Sequence, residues 1–158
     1  MKLAEALIEK KDLTARISEL QSRYAAAAVI EEGADPDESA EELLASLGAA
    51  FARWEELTVA INVANNRILV GNKTMMQSLA HRDSLKSQIS NFNSISSSIR
   101  QRNSQRSRYY GGENSPKMVV AEGVNAGYFI KLVDDLSKEL RLLDTQMQAA
   151  NWENELTA

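Results

Sequence analysis

Apolar residues return every third or fourth position along four stretches of this 158-residue chain, and each stretch reads as an amphipathic helix. The cleanest comes last, from about 125 to 154. Phe129, Val133, Leu136, Leu140, Leu143, Met147 and Ala150 form an unbroken seam there, with Leu132 and Leu142 beside it. A helix of that length is a rod of ~45 Å that cannot bury its apolar face alone, so the other segments are expected to cover it.

The first helix, about 2–31, carries Leu3, Ala6, Leu13, Ile17, Leu20, Tyr24 and Ala27 on one seam, interrupted once by Lys10. Gly33 fits its C-terminal cap, and Asp35 with Pro36 fits the start of a second helix, about 37–63, that returns antiparallel. Leu44, Leu47, Phe51, Trp54 and Ile61 make the second seam, with Leu43, Ala50 and Leu57 beside them, and Trp54 reads as a core anchor. Asp37, Glu38, Glu41 and Glu42 crowd the start of this helix, where its dipole favours negative charge.

A third helix, about 75–105, keeps its period through Met75, Leu79, Leu85, Ile89, Phe92, Ile95 and Ile99. Its other positions are dominated by Ser and Asn, which are mediocre helix formers, so packing on the apolar stripe must hold it. Ser96 and Asn103 fall on the extrapolated seam, where polar residues often set register or oligomer state.

Between the second and third helices, Asn62, Asn65 and Asn66 suit a helix end and turn, or polar contacts made there. Residues 67–70 and 117–120 read as short strands that pair into a ribbon, Gly71-Asn72 as a turn, and Thr74 to Gln77 as a capping box. Asn125 caps the last helix. The expected fold is mainly α: an antiparallel four-helix bundle of long coiled-coil-like helices with a small two-stranded β-ribbon, in one domain of residues 1–158.

Composition narrows the chemistry. With no cysteine, disulfides, thiolate catalysis and Cys-ligated metals are excluded. His81 is the single histidine, so no His-pair metal site can form. No Gly-rich phosphate loop, Gly-x-Ser-x-Gly or His-Glu-x-x-His is present. Asp134, Asp135 and Glu139 read as a solvated face before a cation site. The expectation is no catalytic residue, no cofactor and no metal. The charged opening, with no apolar signal core, and the short apolar runs point to a cytoplasmic protein.

Charge is skewed along the third helix. Lys86, Arg100, Arg102, Arg106 and Arg108 fall between Asp83 and Glu113 with no acid among them, although the net charge is −4. Such a basic patch is a candidate for nucleic-acid phosphate. Pairing with the acidic second helix, within or between subunits, explains it better.

The ends of the chain resemble the septicolysin-like bacterial family. The resemblance is carried by Met1-Lys2-Leu3-Ala4-Glu5-Ala6-Leu7-Ile8-Glu9, by Lys138-Glu139-Leu140-Arg141-Leu142-Leu143-Asp144, and by Gln148, Asn151-Trp152 and Glu155-Leu156. Lys73-Thr74-Met75 and Leu79-Ala80-His81-Arg82-Asp83 resemble its middle segment. This chain departs from that family at Gly71-Asn72, in place of Asp-Gly, and at Asn62-Val63-Ala64-Asn65. The resemblance implies a small helical homo-oligomer, with a hexamer as one size, and no established activity.

The sequence therefore points to a non-catalytic homo-oligomeric bundle protein. Candidate subunit contacts are Phe92, Ser96, Ile99, Asn103 and Trp152, the last because core packing explains it poorly. The alternatives are a membrane-active lysin that rearranges amphipathic helices into a pore, and nucleic-acid binding through 86–110.

Overall fold

The computed structural model describes residues 1–32, 38–109 and 120–156, without the side chains of 103–109 and 126. The element order is α1 (Leu3–Ala28), α2 (Ala40–Arg67), β1 (Leu69–Val70), β2 (Lys73–Thr74), α3 (Met75–Tyr109) and α4 (Ala126–Glu153). Among the described residues the protein is mainly helical, with four helices and one small antiparallel ribbon. It divides into two compact units, Met1–Met76 with Met147–Ala158, and Gln77–Gln146.

In the first unit α1 and α2 form an antiparallel hairpin. Ile17, Leu20, Leu43 and Ala50 make its closed core, and Leu13, Tyr24, Ala27, Leu47 and Trp54 pack against it. The α1 seam faces inward along its length, and its one polar member has a use: the Lys10 ammonium lies 4.7 Å from the centre of the Trp54 ring. Trp54 Nε1 donates to Thr14 Oγ1 at 3.2 Å. Trp54 is thus the anchor its place on the seam implies.

The inward face of α2 keeps Leu47, Trp54 and Ile61 of the expected seam and takes its other members from the residues beside it. Leu43, Ala50, Leu57 and Ile61 are buried, whereas Leu44 and Phe51 are exposed. Adjacent helical residues differ by about 100° in direction, so the wide apolar face of α2 left more than one possible seam, and packing on α1 selected among them.

The start of α2 is capped by Ser39, whose hydroxyl accepts from the Glu42 amide at 3.3 Å. The roles expected for Gly33, Asp35, Pro36 and Asp37 fall outside the described residues. At the other end α2 continues through Asn62, Asn65 and Asn66 to Arg67, where a turn was expected. Asn66 donates to the Asn62 carbonyl at 2.9 Å, one helical turn back. The buried Ile61, Ala64 and Ile68 keep the helix going, and their packing outweighs the weak helix propensity of asparagine.

The ribbon also differs from expectation. β1 pairs with its immediate neighbour β2, Leu69 with Thr74 and Val70 with Lys73. Gly71 adopts φ +62°, which lets a two-residue turn join the strands. The Met75 amide closes the turn by donating to the Ile68 carbonyl at 2.8 Å. Of the expected partner strand, 117–119 lie outside the described residues, and Val120 is not in a strand.

The two ends of the chain are tied together in the same unit. The Leu3 amide donates to the Asn154 carbonyl at 3.0 Å, the Leu156 amide to the Met1 carbonyl at 2.9 Å, and Lys2 Nζ lies 3.4 Å from Glu155.

In the second unit α3 and α4 run antiparallel. His81 meets Glu139 near one end, and the Phe92 and Phe129 ring centres lie 6.0 Å apart near the other. Asn125 Oδ1 accepts from the Gly127 amide at 2.8 Å, the capping role its position suggested.

Candidate functional site

Two buried polar side chains of the second unit, Ser78 and Ser96, lie on one side of α3. Ser78, Arg82, Leu85, Ser96 and Arg100 recur there at helical spacing. Ser78 is fully buried, and its hydroxyl has no hydrogen-bond partner; the buried Nε of Arg82 likewise has none. Arg82 instead reaches Asp83, at 3.5 Å. His81 Nε2 lies 2.9 Å from Glu139 Oε1, which ties α3 to α4. This is the work of the only histidine, and it places Glu139 in a helix-to-helix contact.

Of the five residues of the expected basic patch, the side chains of three are described. Arg100 folds back on its own helix, donating from Nη2 to the Ser96 hydroxyl at 3.0 Å. Lys86 and Arg102 are exposed but lie roughly 160° apart around α3. The side chains of Arg106, Arg108 and Asn103 lie outside the described residues.

Among the candidate subunit contacts, Phe92 and Ile99 are half-buried, and Ser96 is closed off with Arg100 on it. Trp152 stands on the last turn of α4, largely exposed. Asn62 and Asn66 are exposed on α2, and Asn65 is half-buried.

Two ion-pair networks link α1 to α2 or its approach. Arg53 binds Glu9 with both arms, at 2.7 and 3.2 Å, and Glu56 at 3.2 Å. Arg23 binds Glu38 and Glu19. Hydrogen bonding to these guanidinium groups holds the carboxyls of Glu9 and Glu38 below their ordinary range, and raises both arginines. These pairs are exposed, so each contributes little to stability. Sequence reading missed them because their members are 15 and 44 residues apart.

Among the described residues no three His, Asp or Glu side chains cluster as a metal site would require. No helix there is long and apolar enough to cross a membrane.

The fold defines a class of small, mainly helical proteins built from antiparallel helix pairs and a short ribbon. Over residues 10–156 the chain matches a family of unknown function, DUF6847, and it belongs to that family. A crystal structure of a functionally unknown conserved protein from Corynebacterium diphtheriae is similar to it, at 30% identity and a TM-score of 0.82, with 99% of each chain covered. No curated protein matches.

Proposed function

We propose that this protein is a non-catalytic, cytoplasmic homo-oligomer whose subunits associate along the α3/α4 pair. The observation that carries this reading is the state of the α4 seam. Phe129, Val133, Leu136, Leu140 and Leu143 all point inward, yet each is only half-buried. A seam this continuous is uncommon on a face left to water, and two helices alone cannot close it. Ile95, Tyr128 and Ile130 extend the apolar surface nearby, each more than two-fifths exposed.

The absence of cysteine and the engagement of His81 with Glu139 support a non-catalytic role. The septicolysin-like ends of the chain support a homo-oligomer, of which a hexamer is one size. Light scattering during gel filtration at micromolar concentration tests the reading. A mass that is a multiple of 17.5 kDa is expected, and a monomer at all concentrations would overturn it.

A further inference from the structure

The outward face of α2 carries exposed apolar side chains. Leu44, Phe51, Val59 and Val63 are 53%, 45%, 58% and 45% exposed. With Gly48 and Ala52 they lie on the side of the helix turned away from the buried Leu43, Ala50, Leu57 and Ile61, Leu44 and Phe51 about 100° round from that seam and Val59 and Val63 farther, with Asn62 and Asn66 among them. An open groove of about 610 Å³ runs beside them, lined by Ala52, Glu55, Val59, Val63 and Arg67 among others.

Gly48 is the second observation. Glycine weakens a helix interior, and a side chain here would meet nothing within 4 Å. The subunit itself therefore has no packing need for glycine at this position. A close approach from outside would supply one. The third observation is charge: Glu41 stands near one end of α2 and Arg67 at the other, so the two ends are complementary when the helix is reversed, with Glu55 between them.

We propose that this face of α2 packs antiparallel on the same face of a second copy, across a two-fold axis near residues 53 and 54. In that register Leu44 lies opposite Val63 of the second copy, Gly48 seats Val59, and Glu41 approaches Arg67. The contact is isologous, so each pairing occurs twice. Glu55 falls nearest the axis, where two like charges repel. The inference rests on the homo-oligomer reading, but it uses a different surface from the α3/α4 seam.

Because the chain has no cysteine, introduced cysteines report the register directly. The double variant Leu44→Cys/Val63→Cys should form a covalent dimer under mild oxidation. Leu44→Cys alone should not, since two copies of that position would stand roughly 28 Å apart along the helices. Gly48→Leu should weaken association at least tenfold, and Glu55→Gln should tighten it.

A wild-type protein that scatters light as a monomer overturns this pairing together with the reading it rests on. A wild-type oligomer whose double variant stays uncrosslinked overturns the α2 pairing alone. So does efficient crosslinking by Leu44→Cys alone, unweakened association in Gly48→Leu, or weakened association in Glu55→Gln.

Discussion

The two units use the same helical seam and close it to different degrees. In Met1–Met76 with Met147–Ala158, the inward positions are sealed and apolar: Leu3, Ala6, Ile17, Leu20, Leu43, Leu57, Ile61, Val70, Met75 and Met147 are all buried. Among the described residues of Gln77–Gln146, the sealed positions are Ser78, Leu85 and Ser96, two of them polar. The first unit surrounds its seam with a hairpin, a ribbon and both chain ends. Among its described residues the second has two helices. Burial is roughly proportional to how many elements surround a position, and hydrophobic stabilisation follows the area removed from water. The first unit is therefore expected to be stable by itself, and the second to depend on further contacts.

Substitution should separate them. Leu57→Ala in the sealed unit is expected to cost about 3 kcal/mol in urea unfolding. Leu140→Ala on the half-covered seam should cost about 2 kcal/mol if another subunit completes it, with a midpoint that shifts with protein concentration. A cost well below that, with no concentration dependence, would mean that the seam is open to water in solution. Ser39→Ala should cost about 1 kcal/mol through loss of the α2 cap, measured by thermal unfolding.

Ser78→Ala should do the reverse and stabilise the protein by up to about 1 kcal/mol, because it removes a buried hydroxyl without a partner. A loss of stability would show that the hydroxyl is used. The smallest effect is that of pH. The carboxyls of Glu9 and Glu38 titrate lower in the folded chain than their ordinary value of 4.5. Their stabilising contribution is present above that pH and lost as pH falls through the lowered folded values. Glu9→Gln should remove part of this acid dependence in pH-resolved melting curves.

Much of the fold was legible along the chain. The α1 and α4 seams, the Asn125 cap and the anchoring role of Trp54 follow from spacing alone, because a 3.6-residue period with few glycines or prolines admits little else. Other features were not legible. Lys10 reads as a break in the pattern until Trp54 is placed over it. Asn62, Asn65 and Asn66 read as a turn until Ile61, Ala64 and Ile68 are buried around them.

The sequence by itself determined that the chain forms long amphipathic helices, which faces of α1 and α4 turn inward, and that thiolate and His-pair chemistry are excluded. Only the tertiary structure decided which apolar positions α2 buries, that β1 pairs with the adjacent strand, and that the lone histidine joins α3 to α4. Local periodicity states that a face is apolar. What covers that face depends on residues distant in sequence, and on how many elements reach it.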